Sequence, residues 1–150
     1  MNKHIPHPRV VFSSVAEALA ASPFFIDEQG VGAWLSTDDE RLLAKGKVIL
    51  STRNAIHIPS LEKNGRQIPT ALVETLSQQA QSLGLDKIHT ATGYWTLSET
   101  GEMQTEQVLI AFTEKGIDPE KLRLLATKIV HTANQDAVAI EVSGCVEQRR

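Results

Sequence analysis

Four side chains in this sequence have the chemistry to hold a small ligand. An imidazole can donate or accept a proton near neutral pH, an arginine binds anionic groups, and an indole offers an apolar surface. His57 and His89 lie on two predicted strands, which one sheet can bring side by side. We therefore expect Arg53, His57, His89 and Trp95 to form the lining if the chain has a ligand-binding pocket.

The other reactive residues form no catalytic or metal-binding motif. The five histidines make no HxH, HExxH or HxxxH pair, and these are spacings that place two ligands on one metal ion. Cys145 is the single cysteine, so no disulfide and no all-cysteine zinc site can form within the chain. The patterns GxSxG, GxGxxG and GxxxxGKS/T do not occur. We predict no catalytic residue, no metal and no cofactor, and the sequence favours a protein that is not an enzyme.

The composition is typical of one soluble globular domain. A chain of 150 residues with 41% apolar and 22% charged residues can build one hydrophobic core. Its net charge of -3 lacks the basic excess that nucleic-acid binding normally needs. The sequence has no signal-peptide pattern and no apolar run as long as a membrane span, and one cysteine fits a reducing compartment. We therefore expect a cytoplasmic protein that binds neither membranes nor nucleic acid.

Residues 1–46 are predicted to form an N-terminal extension of helices and a β-hairpin. Two capping boxes, each a serine or threonine followed three residues later by a glutamate, predict short helices that begin at Ser14 and Thr37. Residues 24–35 are aromatic and apolar around Gly30, which is typical of a hairpin with a glycine in its turn. We expect this extension to pack on the rest of the chain.

Residues 47–150 are predicted to form an α+β core. Alternating or continuous apolar runs predict strands, and apolar residues at helical spacing predict helices. The resulting order is a strand at 48–58, a helix at 69–84, strands at 88–97 and 106–113, a helix starting at Asp118, and a strand at 137–142. This is the ferredoxin-like β-α-β-β-α-β sandwich, with both helices on one sheet face. The tail after Gly144 is predicted to be irregular.

The second face of this predicted sheet needs a cover. Phe24, Phe25, Trp34 and the short helices of the N-terminal extension could supply it. Alternatively, an uncovered apolar face would mark a dimer interface or a ligand groove.

A pattern in the second half of the chain resembles a known family. Gly93 is followed two residues later by Trp95, then come a turn glycine at Gly101 and Glu106 just before an apolar strand. In this spacing, residues 71–142 resemble the DUF3574 family of small bacterial proteins of unknown function. The resemblance implies an α/β sandwich and implies no activity.

Two functions from different classes follow. The first is a non-catalytic protein–protein interaction module, such as an accessory or inhibitor protein of a bacterium or its phage, with an exposed apolar or acidic patch. The second is a small-molecule-binding or catalytic domain with a pocket on the sheet or between two protomers, as in dimeric α/β barrels of related topology. The expected partner is accordingly another protein or a second copy in a homodimer.

Overall fold

The computed structural model describes residues 7–12, 24–27, 30–33, 47–49, 52–96 and 103–150, with side chains for residues 52–93 and 105–150. Two helices and antiparallel strands make this part of the chain an α+β protein. In chain order its elements are β1 (His7–Phe12), β2 (Phe24–Asp27), β3 (Gly30–Ala33), β4 (Lys47–Ile49), β5 (Asn54–Ile58), α1 (Thr70–Ser82), β6 (Lys87–Thr96), β7 (Met103–Thr113), α2 (Pro119–Thr132), β8 (Val138–Val142) and β9 (Cys145–Arg149).

Strands β5 to β9 form an antiparallel sheet in the spatial order β6-β7-β5-β8-β9. Strand β5 is central, because it pairs with β7 on one side and β8 on the other. In this register His57 lies opposite Ile110, and Ile110 lies opposite His89 of β6. Residues that lie opposite each other on neighbouring strands point to the same face of the sheet, so His57, Ile110 and His89 share one face.

Helix α2 forms as its sequence predicts. Asp118 is its N-cap, and the carboxylate accepts a hydrogen bond of 2.9 Å from the backbone N–H of Glu120. Pro119 occupies the first turn, where its missing N–H costs no hydrogen bond. The buried side of the helix is an apolar stripe of Leu122, Leu125, Ala126, Ile129 and Val130.

Replacing Asp118 by Ala is expected to lower the free energy of unfolding by about 1 kcal/mol. The helix would lose its N-cap acceptor and a negative charge beside its positive end. Urea denaturation measures the change, and Asp136→Ala is the matched control because the Asp136 side chain is 84% exposed and lies 4.0 Å from Lys63. Equal losses in the two variants would contradict the capping role.

Both helices pack on the same face of the sheet and form the main core. Leu76 and Ala80 of α1 join the apolar stripe of α2 in one buried cluster with Ile56 of β5 and Ile140 of β8. The period of the apolar residues in each helix places them toward the sheet. No helix in the described part of the chain is long and apolar enough to cross a membrane.

The opposite face of the sheet carries a second buried cluster. Ala55 and Ile110 are fully buried there, so this face is covered in the folded chain. The predicted cover by Phe24, Phe25 and Trp34 lies outside the side chains that the structure describes. The apolar members of the cluster are Ala55, Ala91, Val108, Ile110, Ala139 and Val146, with Phe112 packed against them.

The N-terminal strands pair with both outer strands of the five-stranded sheet. Strands β2 and β3 form the predicted hairpin, with Asp27 opposite Gly30, and β2 also pairs with β6. Strand β1 pairs with β9, β3 and β4. The helices predicted to begin at Ser14 and Thr37 lie outside the described residues. A domain boundary between residues 46 and 47 stays a prediction.

Two strand predictions are wrong, and β1 was not predicted. Residues 48–58 do not form one strand, because β4 pairs with β1 whereas β5 pairs with β7 and β8. The polar residues Ser51, Thr52 and Arg53 lie between the two strands and divide this stretch of sequence. The tail after Gly144 is not irregular, because residues 145–149 form β9 and pair with the whole of β8.

Strand β9 has two sources of order. Ser143 and Gly144 have φ angles of 48° and 86°, which suit the two-residue turn of a hairpin between β8 and β9. Glu147, whose side chain is 4% exposed, accepts hydrogen bonds from Nε of Arg123 at 3.1 Å and from Nη2 at 2.8 Å. This ion pair joins β9 to helix α2.

Candidate functional site

Four ionisable side chains meet on the sheet face that lies away from the helices. Arg53 comes just before β5, and His57 lies within it. The carboxylate of Glu141, on β8, accepts hydrogen bonds from Arg53 Nε at 2.8 Å, from Arg53 Nη2 at 2.9 Å and from His57 Nε2 at 3.1 Å. Nη1 of Arg53 contacts Nε2 of His89, on β6, at 3.2 Å. These four residues are called the β-face cluster below.

Glu141 is fully buried and ionised. Its side chain is 0% exposed. Burial, the largest single influence, raises the pKa of this carboxyl, but the hydrogen bonds from His57 and Arg53 and their positive charges together outweigh it. The pKa of Glu141 therefore falls from 4.5 to about 2. A carboxylate with such donors stays charged at neutral pH and fixes the orientation of the guanidinium.

Both ring nitrogens of His89 have hydrogen-bond partners. A guanidinium can only donate, so Nε2 of His89 must accept the hydrogen bond from Arg53. Nδ1 of His89 lies 3.2 Å from the carbonyl oxygen of Thr90 and donates its proton there. The imidazole also packs edge-on against the ring of Phe112, with 5.2 Å between the ring centroids.

The ring of Phe112 marks the exposed end of the cluster. The guanidinium carbon of Arg53 lies 5.1 Å from the ring centroid, and Nζ of Lys87 lies 6.0 Å from it. Side-chain exposure rises in this direction, from 0% for Glu141 through 12% for Arg53 to 54% for Lys87. The cluster therefore reaches from the protein interior to solvent.

Asn54 holds the backbone around the cluster. Its Oδ1 accepts a hydrogen bond of 3.0 Å from the N–H of Ser143, and its Nδ2 donates one of 3.1 Å to the carbonyl of Lys115. The N–H of Gly144 donates to the carbonyl of Arg53 at 2.9 Å. These bonds join the start of β5 to the β8–β9 turn and to the loop before α2. They fix the point from which the Arg53 side chain leaves the backbone.

A second buried carboxylate, Glu106, closes the loop that follows β5. Its Oε2 accepts hydrogen bonds from the backbone N–H groups of Ser60 at 3.0 Å and Leu61 at 2.9 Å. A cavity of about 30 Å³ lies beside it, with His57 and Gln148 in its wall. That volume holds one or two water molecules and is far below the several hundred Å³ of a small-molecule pocket. The buried end of the β-face cluster therefore has room for water but not for a ligand.

The side chains of the β-face cluster offer three kinds of interaction to another molecule, namely charge, hydrogen bonding and aromatic contact. Among the described residues, no three His, Cys, Asp or Glu side chains lie close enough together to hold a metal ion. The guanidinium of Arg53 also occupies the position beside Glu141 that a cation would need. The polar groups at the exposed end suit a molecule that carries hydrogen-bonding or charged atoms.

The structure brings together three of the four residues predicted to line a pocket. Arg53 and His57 both contact Glu141, and His89 contacts Arg53. Trp95 lies in β6, but its side chain is outside the described part of the structure. Whether any of these residues binds a ligand stays a prediction.

Glu141 is the central residue that sequence reasoning missed. The tail after Gly144 was predicted to be irregular, which left the last strand with no neighbour on its outer side. The carboxylate of Glu141 lies on the covered face of the sheet and is 0% exposed, so it needs a cationic partner. The signal available in the sequence was the alternation that places Ala139 and Glu141 on the same side of this strand.

The DUF3574 resemblance of residues 71–142 stays a prediction. No protein-family model, curated protein sequence or solved structure matches this chain. The proposal for its function therefore rests on the β-face cluster itself.

Proposed function

We propose that this chain is a small-molecule-binding domain whose site is the exposed end of the β-face cluster. The observation that supports the proposal is the convergence of Arg53, His57, His89 and Glu141 from three strand segments onto one sheet face. A sheet that only needed a packed core would fill this face with apolar residues, because a buried ion pair stabilises little in net terms. Ionisable groups gathered near an opening are typical of binding sites.

The interaction-module hypothesis has less support among the described residues. It requires a broad exposed apolar or acidic patch. The large apolar side chains that are strongly exposed there are Ile88, at 43%, and Leu124, at 70%, and they lie on a strand and a helix, respectively. Single exposed apolar residues are ordinary on protein surfaces. A protein partner, a homodimer and a bacterial or phage origin stay predictions.

For the fold we propose the ferredoxin-like arrangement of β5, α1, β6, β7, α2 and β8, with β9 as an added strand. A split β-α-β unit leaves space for one strand between the two strands that its helix connects. The pairing supports this assignment, because β7 lies between β5 and β6, and β5 lies between β7 and β8. The shared packing of α1 and α2 in one core cluster also supports it.

Replacing His89 by Ala is expected to weaken the binding of small molecules at this site about tenfold, since a ring contact is lost and Arg53 loses the hydrogen bond to Nε2 of His89 that helps to orient it. A library of neutral, cationic and anionic fragments, screened by saturation-transfer NMR, supplies the ligands, and competition titrations give their relative affinities. His131→Ala is the matched control, because His131 is exposed on helix α2.

His89 is partly exposed, so this variant should remain folded, and its melting temperature is recorded beside that of the control. Fragments that bind the wild type and His131→Ala equally and bind His89→Ala about tenfold more weakly support the proposal. Fragments that bind all three proteins equally would place the site elsewhere.

A further inference from the structure

We infer that the ligand of the proposed site is a small aromatic carboxylate. The inference rests on the proposed function and names the chemical class that the site would bind. Its basis is the arrangement of two cations and two aromatic rings at the exposed end of the β-face cluster.

Two positive charges lie beside one aromatic ring. The guanidinium carbon of Arg53 and the ammonium of Lys87 are 5.1 Å and 6.0 Å, respectively, from the centroid of Phe112. Both cations can therefore act on a single small molecule placed against this ring. A cation near an aromatic face also keeps its long side chain in position.

The ion pairs that these two cations form differ in burial and in strength. Glu141 is buried and holds Arg53 through two hydrogen bonds, so this pair persists when a ligand arrives. Glu114 faces Lys87 at 3.7 Å, with side chains that are 69% and 54% exposed. Such an exposed pair contributes little stability and is easily exchanged for another anion. An incoming carboxylate can therefore replace Glu114 as the partner of Lys87.

The rings of Phe112 and His89 indicate that the apolar part of the ligand is aromatic. Phe112 and His89 are both partly exposed and meet edge to face at 5.2 Å. An aromatic ring of the ligand can extend this arrangement, because offset and edge-to-face contacts are the favoured geometries. The cavity of about 30 Å³ beside His57 is too small for a ring, so the ligand lies at the exposed end of the cluster.

The test uses benzoate and benzamide, which have nearly the same shape and differ in charge. Isothermal titration of the full chain is expected to show benzoate binding at least tenfold more tightly than benzamide. Lys87→Gln should weaken benzoate binding about fivefold and leave benzamide binding unchanged, as the loss of one exposed charge predicts. Lys128→Gln, which changes an exposed lysine on helix α2, is the matched control and should bind benzoate like the wild type.

Four other outcomes would count against the inference. Equal affinities for benzoate and benzamide, or equal effects of Lys87→Gln and Lys128→Gln, would overturn the carboxylate assignment. If neutral or cationic fragments bind in a His89-dependent manner while benzoate does not, the proposed function stands and this inference fails. If no fragment of any charge depends on His89, both are wrong.

Discussion

Replacing Glu141 by Gln is expected to lower the free energy of unfolding by about 3–5 kcal/mol, the largest effect of any change to the β-face cluster. Glutamine keeps the size of the side chain but removes its charge. Arg53, which is 12% exposed, would then keep its own charge without the carboxylate that now neutralises it. Removing one partner of a buried ion pair is costly because the other stays desolvated.

Glu114→Gln is the matched control for this substitution. It removes a carboxylate from an ion pair of 3.7 Å whose glutamate side chain is 69% exposed, and should change the stability by no more than about 0.5 kcal/mol. Urea denaturation of the three proteins gives the values. A loss of less than about 1 kcal/mol for Glu141→Gln would mean that Arg53 finds other solvation, and would contradict the buried ion pair.

Acid is expected to destabilise the protein through the same carboxylate. The pKa of Glu141 is about 2 in the folded chain and 4.5 ordinarily, so the unfolded chain binds the extra proton between these two values. Stability from this group is therefore fully present above about pH 4.5 and is lost as the pH falls toward 2. The difference between the two pKa values corresponds to roughly 3 kcal/mol in the free energy of unfolding.

Urea denaturation at a series of pH values from 7 to 2 measures this dependence. Other carboxyl groups also titrate in this range, so the informative quantity is the difference in the free energy of unfolding between the wild type and Glu141→Gln. That difference should be constant above about pH 5 and shrink steadily below it. A difference that does not change with pH would show that Glu141 is not the ionised partner of Arg53 and His57.

The helical part of the fold could be predicted from the sequence because its signals are local. Asp118 and Pro119 mark the start of α2, and one turn of sequence is enough to read them. The apolar spacing likewise identifies α1, where Leu76 and Ala80 are buried. Strands β1 and β9 were missed because pairing depends on distant residues. Pro8 pairs with Cys145, for example, and nothing near either residue indicates the other.

The candidate site could also be predicted only in part, because it too depends on residues that are distant in the sequence. His57 and His89 were recognised as strand residues that a sheet could bring together, and each lies opposite Ile110 on β7. Their link is Glu141, whose role depends on burial and on strand pairing rather than on its type. A glutamate in a strand is exposed in most sequences. The place of Glu141 on the covered face of the sheet, beside Arg53 and His57, makes it the buried centre of a charge network.

The most direct test of the proposed function is to follow the imidazole signals of the protein during a fragment titration. Protein labelled with ¹³C in its histidine rings gives separate signals for His57, His89 and the exposed His131, and alanine variants assign them. Binding on the β-face cluster predicts that the His89 signal shifts most, that the His57 signal shifts less, and that the His131 signal stays fixed. Saturable binding that leaves the His57 and His89 signals unmoved would contradict the account.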